Sequence, residues 1–202
     1  MAKQLTQVHQ DDKKYAGFQT RSWKKLMNNK GFTLIELIIT IAIAAIVMAI
    51  GVPAFQDMIR NNRIIAQTND VMSALNFARS EAIKRGRPVV LCKSSGGAAC
   101  ATSGNWDQGW MIFVDTDNNA AVDSGEEILR VHDALTGGNT LEGNGNVATY
   151  ISYSSDGVTR LKNGGGFQSG TLTFSLCNSS KQKNTILISD TGRARIQKVT
   201  CS

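Results

Sequence analysis

The most apolar stretch of the chain occupies positions 32–52 and contains one acidic residue, Glu36. A helix of about 20 predominantly apolar residues is long enough to cross the hydrocarbon core of a bilayer. This pattern predicts one membrane-spanning helix over residues 32–53.

A second pattern begins at residue 54, where apolar residues recur at steps of three and four with charged residues between them. This is the period of an amphipathic helix. Pro53 lies where the two patterns meet and would bend a continuing helix, whereas Gly86 and Pro88 are typical of a helix end. We expect an amphipathic continuation of the helix over residues 54–87, and this part would carry a sheet.

After residue 87 the pattern changes to the alternation of strands, interrupted by stretches rich in Gly, Asn and Ser. Seven segments fit it: residues 88–93, 109–114, 127–131, 147–153, 171–177, 184–189 and 193–199. They predict a β-rich domain over residues 88–202. The fold class is therefore α+β, with one long N-terminal helix packed on antiparallel β-sheet.

Charge is distributed unevenly along the chain. Residues 1–31 hold seven Lys/Arg and two Asp/Glu, so most of the net charge of +6 precedes the apolar run. Because basic flanks stay on the cytoplasmic side of a membrane, the later domain should be exported. Residues 107–156 hold nine Asp/Glu against Arg130 alone, and residues 160–202 hold seven Lys/Arg against Asp190 alone. This separation is more informative about binding than the net charge.

Residues 30–36, with the sequence Lys-Gly-Phe-Thr-Leu-Ile-Glu, resemble the class III leader junction of type IV prepilins. The resemblance implies that a prepilin peptidase removes residues 1–31 by cleaving between Gly31 and Phe32, whose amine is then methylated. It also implies that Glu36 pairs with the amino terminus of a neighbouring pilin subunit, since an unpaired carboxylate is costly in an apolar segment. The alternative is a glutamate that reaches the membrane surface. The implied location is a single-pass anchor in the inner membrane with a periplasmic domain, and later the pilus at the cell surface.

Residues 106–130 resemble the GspH/FimT branch of this family, which includes minor pilins and the H-type pseudopilin of type II secretion. The resemblance is carried by residues 109–115, Gly-Trp-Met-Ile-Phe-Val-Asp, and residues 123–129, Asp-Ser-Gly-Glu-Glu-Ile-Leu. It implies a type IV pilin-like fold and a role as a minor subunit. A start at Met27 in place of Met1 would give the short leader typical of the family, and both starts remain open.

All four cysteines follow the apolar helix, and their spacing is not typical of a zinc or redox site: Cys92, Cys100, Cys177 and Cys201. Their even number favours disulfides in an exported protein. Three pairings are possible. Pairing of Cys92 with Cys100 and of Cys177 with Cys201 is favoured because each closes a local loop.

Near the carboxyl end, residues 190–192, Asp-Thr-Gly, are typical of a tight turn between two strands. Since side chains alternate along a strand, Arg193 and Arg195 should share one face and Ala194 and Ile196 the other. Two guanidinium groups side by side suit neighbouring phosphates.

The same segment, Gly-Arg-Ala-Arg, resembles the GRxR motif of FimT minor pilins. The resemblance implies DNA capture during natural transformation through Gly192, Arg193 and Arg195. Three further basic residues are candidates to extend the patch: Lys181, Lys183 and Lys198. Binding would be independent of sequence, because phosphate contacts carry no base code. The alternative is that two exposed arginines merely solvate the face or protect an edge strand.

Residues 115–126 match the ligand spacing of a calcium loop. The candidate ligands are Asp115, Asp117, Asn119, Asp123 and Glu126. Ala120, however, replaces the glycine of such loops, and no flanking helices are predicted. An acidic, solvated hairpin loop is therefore the favoured interpretation.

The sequence gives little support for catalysis. His132 is the only histidine after residue 31, and no Cys-His or Ser-His arrangement can be recognised. We therefore expect no enzymatic activity and no cofactor. Trp106 and Trp110 are expected to fill the core rather than to stack on bases.

Overall fold

The computed structural model describes residues 31–178 and 180–201. The predicted leader up to residue 30 lies outside the described residues. The remainder confirms the predicted α+β class, with one long helix followed by antiparallel strands.

Helix α1 comprises Leu34–Arg85. It begins after Thr33, whose side-chain oxygen accepts a hydrogen bond of 3.2 Å from the backbone N–H of Glu36. A threonine followed three positions later by a glutamate is a common helix start. The helix continues through Pro53 and stops at Gly86, which has a φ of 64°. Glycine adopts this left-handed conformation without a Cβ clash, so the predicted end of the helix is confirmed.

The chain divides into two compact units, Met1–Ala45 and Ile46–Ser202. Within the described residues, α1 is long and apolar enough to cross a membrane, with a mean hydropathy of 2.7 over its most apolar window. In the second unit, Ile64 is the first buried residue of α1. Packing on the sheets therefore begins at Ile64 and not at residue 54. Three large apolar side chains just before it are exposed: Phe55, Met58 and Ile59.

Eight strands are found in the described residues. They are β1 Val89–Lys93, β2 Trp110–Val114, β3 Ile128–His132, β4 Leu141–Gly143, β5 Tyr150–Tyr153, β6 Gly170–Phe174, β7 Gln182–Ile188 and β8 Ala194–Thr200. Seven of them overlap the predicted strands. The sequence analysis missed β4, which has three residues and lies in a stretch rich in Gly and Asn.

The strands form two antiparallel sheets of four. The first has the order β3-β2-β1-β5, and the second has the order β4-β6-β7-β8. In the second sheet β8 is an edge strand, paired with β7 from Gln182 opposite Thr200 to Ile188 opposite Ala194. The segment predicted to bind DNA therefore lies at the edge of this sheet.

One apolar core lies between α1 and the two sheets. The helix contributes Leu75, Ala78 and Ala82, all fully buried. The sheets contribute inward-facing side chains from both layers, among them Leu91, Ile112, Ile151, Leu172, Phe174 and Ile186. Trp106 and Trp110 are 1% and 3% exposed, which confirms that they belong to the core.

Buried polar side chains fix α1 on the sheets at defined points. The Gln67 side-chain amide donates to the Thr136 carbonyl at 2.9 Å and accepts a bond of 2.8 Å from the Asn139 amide. The Asn184 amide on β7 donates to the Thr68 hydroxyl at 2.9 Å. Buried amides of this kind need partners, so these bonds fix how the helix and sheets meet.

The outer face of the first sheet carries a second, smaller cluster. Val90, Cys92, Met111 and Phe113 are fully buried there. They are covered by partly buried residues of neighbouring loops: Cys100, Ala120, Val122 and Tyr150. The acidic loop thus contributes Ala120 and Val122 to a core.

Two disulfides join Cys92 to Cys100 and Cys177 to Cys201. This is the local pairing favoured from the sequence, which is confirmed. The first bridge ties a loop to β1. The second ties the segment after β6 to the residue that follows β8, so it closes the end of the second sheet opposite the turn that joins β7 and β8.

Candidate nucleic-acid interface

The turn between β7 and β8 presents the two arginines. The Ser189 N–H donates to the Arg193 carbonyl at 3.0 Å, and the Gly192 N–H donates to the Ser189 carbonyl at 2.9 Å. The turn thus lies where the Asp-Thr-Gly sequence predicted it, and Arg193 and Arg195 follow it directly.

Neighbouring segments hold this turn in place. The Thr159 hydroxyl donates to the Ser189 carbonyl at 2.9 Å, and the Asp190 carbonyl accepts a bond of 3.3 Å from the Thr159 N–H. From the helix, the Arg79 guanidinium donates to the Thr191 carbonyl at 3.2 Å. The turn is therefore bonded both to a loop and to α1.

Gly192 is buried and has a φ of 74°. A side chain at this position would overlap the carbonyl oxygen of Gly157. Gly192 was predicted as part of the DNA-binding set, and a contact of its own with DNA stays a prediction. Its backbone permits the turn and the close approach of Gly157, so its role is to position the arginines.

Arg193 and Arg195 are exposed and line the same cavity of about 510 Å³. The rest of its lining comes from β6, β7 and the residues next to them: Ser169, Gly170, Thr171, Leu187, Ile188 and Ser189. Arg193 and Arg195 therefore border one concave surface, in agreement with the alternation of side chains. Hydroxyl groups on the same surface add donors for an anion.

The opposite face of β8 is only partly buried. Ala194 packs against the core, but Ile196 is 44% exposed although it pairs with buried Ile186. The reason is the position of β8 at the edge of the sheet, where no further strand covers it among the described residues.

The three lysines do not extend the arginine cavity. Lys183 pairs with Val199 and shares the face of Arg195, but it lies four residues along the strand, or about 13 Å. Lys198 pairs with Asn184, whose side chain faces α1, so it lies on the opposite face. Lys181 lies at the far end of the hairpin, where its carbonyl accepts a bond from the Cys201 N–H. The predicted patch is therefore reduced to the two arginines.

Two further residues near this surface, Arg160 and Phe167, were not predicted from the sequence. The Arg160 guanidinium lies over the Phe167 ring, with 4.9 Å between its central carbon and the ring centroid. Arg160 also pairs with Asp156 at 3.4 Å. These residues lie in the stretch after residue 153, which has no distinctive motif, so only the fold brings them beside the turn.

The acidic loop brings three of the five candidate calcium ligands together. Carboxylate oxygens of Asp115, Asp117 and Glu126 lie within 4.8 Å of one another. Asn119 instead donates its amide to Asp117 at 2.8 Å and to Asp123 at 2.6 Å. Calcium binding was the less favoured interpretation of this loop, and it stays untested.

Backbone donors already occupy the carboxylates of this loop. The two Asp115 oxygens accept bonds from the backbone N–H groups of Asn119 and Ala120 at 3.1 and 2.9 Å. The Glu126 carboxylate accepts a bond of 2.6 Å from the Thr116 N–H. Ala120 has a φ of 58°, the conformation that glycine adopts in a calcium loop. Burial raises the pKa of Asp115 to about 6, even though the N–H groups of Ala120 and Asn119 act to lower it.

The residues of the processing and assembly predictions lie at the amino end. Gly31 and Phe32 precede α1, and Phe32 is 77% exposed. Glu36 lies in the first turn of α1 and is exposed. Cleavage, methylation and pairing of Glu36 with a neighbouring subunit stay predictions.

Comparisons with known proteins match both parts of the chain. The family model described as type II transport protein GspH matches residues 67–192, and the prokaryotic N-terminal methylation motif matches residues 26–52. A fimbrial protein of Pseudomonas aeruginosa is 43% identical over 61 residues, which are 30% of this chain and 39% of that protein. The type IV major alpha-pilin of Moraxella bovis is 41% identical over 66 residues, which are 33% of this chain and 41% of that protein. The chain thus matches about two fifths of the length of these relatives.

Two solved structures are also similar. The type IV minor pilin FimU of Pseudomonas aeruginosa has a TM-score of 0.49 and 17% identity, covering 68% of this chain and 90% of that chain. The minor pseudopilin EpsH from the type II secretion system of Vibrio cholerae has a TM-score of 0.43 and 12% identity, covering 67% of this chain and 96% of that chain. Because the GspH match spans more than half of the sequence, the chain belongs to the GspH family.

Proposed function

We propose that this protein is a minor subunit of a type IV pilus-like filament and that it binds DNA without sequence preference through Arg193 and Arg195. Membership of the GspH family and the methylation motif support the filament role. The DNA role depends on one observation, the shared cavity of the two arginines. Planar guanidinium groups can each bind a phosphate through two hydrogen bonds.

The amino-terminal features support a pathway to the filament. A prepilin peptidase would cleave after Gly31, and α1 would anchor the mature chain in the inner membrane with its folded domain in the periplasm. The helix would then pass into a filament, beside other pilin subunits. Phe55, Met58 and Ile59 are exposed on α1 and could pack against such neighbours. The role is one of binding and assembly, with no catalytic step.

Removal of both arginines tests the DNA proposal. We expect the Arg193→Ala/Arg195→Ala variant of the mature chain, purified in detergent, to bind duplex DNA more weakly than the parent. The slope of log affinity against log salt should fall in magnitude by about 2, since each phosphate contact contributes roughly 0.9. Fluorescence anisotropy at several salt concentrations measures both quantities.

The Lys181→Ala/Lys183→Ala variant is the matched control, because it removes two positive charges from the far end of the same hairpin. Its salt slope should change less than that of the arginine variant. Equal binding by the parent and the double arginine variant would refute the DNA role of the cavity.

A second candidate is a purely structural subunit that primes assembly of a pilus or of a type II secretion pseudopilus. The description of the GspH family as type II transport proteins favours it. In that case Arg193 and Arg195 would serve as polar cover for the exposed edge strand β8.

A further inference from the structure

An exposed aromatic ring lies close to the arginine cavity. Phe167 is 58% exposed, and the Arg160 guanidinium lies over its ring. A single exposed apolar side chain is common on protein surfaces and needs no explanation alone. Two observations make this ring notable, namely its cationic neighbour and its position two residues before Ser169, which lines the cavity.

Gln168 sets the direction of the two side chains that flank it. Gln168 is fully buried, where its amide donates to the Tyr150 carbonyl at 2.9 Å and its oxygen accepts a bond of 3.0 Å from the Ser152 N–H. Phe167 and Ser169, on either side of it, are both exposed. In an extended segment alternate side chains share a face, so the ring lies on the same side as the cavity lining.

Backbone hydrogen bonds join the ring and the arginine turn. The Gln168 N–H donates to the Thr159 carbonyl at 2.9 Å, and the Thr159 N–H donates to the Asp190 carbonyl at 3.3 Å. Arg160 and Phe167 face each other in an isolated antiparallel bridge. The aromatic ring and the turn that carries the arginines are therefore held by the same residue, Thr159.

We propose that Phe167, together with Arg160, stacks an unpaired nucleobase while Arg193 and Arg195 hold phosphates of the same strand, so that the site prefers single-stranded to duplex DNA. This inference rests on the proposed function. Aromatic rings stack on any base, because every base has a π face, and arginine adds a cation–π contribution. In a duplex the bases already stack on one another, so they are not free to stack on the ring.

Other aromatic side chains do not offer the same platform. Trp106 and Trp110 are buried in the core. Among the described aromatic residues, Phe32 and Phe55 are also exposed, but they lie before α1 and in its exposed part. Of the exposed rings among the described residues, Phe167 is the one that lies two residues from a residue lining the basic cavity.

The experiment compares labelled oligothymidylate with a labelled duplex of equal length by fluorescence anisotropy, using the mature chain in detergent. We expect Phe167→Ala to weaken oligothymidylate binding by about 5-fold or more, the loss of one stacked base, and to leave duplex binding unchanged. Phe167→Trp should restore the parent affinity for oligothymidylate. Val131→Ala, which removes a side chain that is 52% exposed on β3 of the other sheet, should have no effect.

The outcomes separate this inference from the proposed function. If the parent binds both DNAs but Phe167→Ala weakens neither, or weakens both equally, the stacking site is refuted and the arginine site stands. If the parent binds neither DNA, the proposed function fails and the inference fails with it. Duplex binding also reports whether the variant is folded.

Discussion

At the scale of single residues, Asp115 is an ionisable carboxyl group that is buried in the fold. Its side chain is fully buried beside Asp117 and Glu126, and it accepts two backbone hydrogen bonds that shape the acidic loop. Burial outweighs these bonds and raises its pKa from 3.8 to about 6. The native state therefore keeps a proton on Asp115 over a range in which the unfolded chain has lost it.

The sign of the resulting pH dependence follows from proton binding. Between about pH 4 and pH 6 the native state binds more protons at Asp115 than the unfolded state, so its contribution to stability falls as pH rises. Glu81 and Asp156 contribute to stability with the opposite sign: their contributions rise with pH, and they do so at lower pH. Hydrogen bonds from Arg85 and Ser154 respectively lower their pKa values. A variant is needed to isolate the effect of Asp115.

We predict that Asp115→Asn removes this dependence. The difference in free energy of unfolding between parent and variant should change by on the order of 1–3 kcal/mol across the window, in the direction that favours the parent at the acid end. Urea unfolding of the mature chain at a series of pH values measures it. Asp133→Asn, an exposed charge beyond β3, is the control. If the difference in free energy of unfolding between the parent and Asp115→Asn stayed constant with pH, a raised pKa of Asp115 in the native state would be contradicted.

At the scale of elements, α1 and the sheets are joined by a few buried polar bonds within an apolar core. Gln67 connects the helix to Thr136 and Asn139, and Thr68 connects it to β7. Apolar packing alone tolerates small shifts of one layer over another. The amides require particular partners, and so they select one alignment.

We predict that Gln67→Ala lowers the free energy of unfolding by about 1–3 kcal/mol, because it leaves the Thr136 carbonyl and the Asn139 amide without their buried partner. Equilibrium unfolding followed by tryptophan fluorescence measures the loss. Gln56→Ala, in the exposed part of the same helix, should change stability little. Because alanine favours the helix at both positions, similar losses for both variants would show that the buried contacts of Gln67 are not the cause.

Much of the element order could be predicted, and the exceptions have physical causes. Glycine after Arg85 marks the helix end, and Asp-Thr-Gly marks the last hairpin, because both signals are local. Strand β4 has too few residues to show an alternating pattern. The lysines were misplaced for a different reason. Alternation along β8 already puts Lys198, three residues from Arg195, on the face of Ala194 and Ile196, and the distance of Lys183 from the arginines depends on the pairing of β7 with β8.

Part of the candidate site could be predicted from the sequence and part could not. Arg193 and Arg195 follow a turn signal, so alternation was enough to put them on one face. Phe167 is 26 positions before Arg193 in the sequence, and its place near the turn depends on hydrogen bonds through Thr159. Contacts of this kind arise from the tertiary fold and leave no periodic signal.

At the scale of the whole molecule, the apolar part of α1 and the proposed DNA-binding surface are separate features of one chain. The apolar part of α1 suits a membrane or a filament core, whereas the arginine turn is at the opposite end of the sequence. A change in one should therefore leave the other intact, and this allows assembly and DNA binding to be tested independently in cells.

We predict that deleting the gene in its natural host lowers transformation frequency while the number of pili stays normal. Complementation with the Arg193→Ala/Arg195→Ala variant should fail to restore uptake, because the variant lacks the phosphate contacts. Transformation assays and pilus counts by electron microscopy, made on the same cultures, measure both effects. Loss of pili in the deletion strain would favour the structural candidate, and restored uptake with the double variant would rule out a role for the two arginines.

The Cys177–Cys201 bridge has a mechanical consequence. An edge strand held by hydrogen bonds alone can be peeled away one bond at a time when its free end is pulled. Here the residue after β8 is covalently tied to the segment after β6, and the other end of the strand runs into the turn. Pulling on the residue that follows β8 would therefore load a covalent bond to the segment after β6, so β8 could not be peeled from β7 starting at that end.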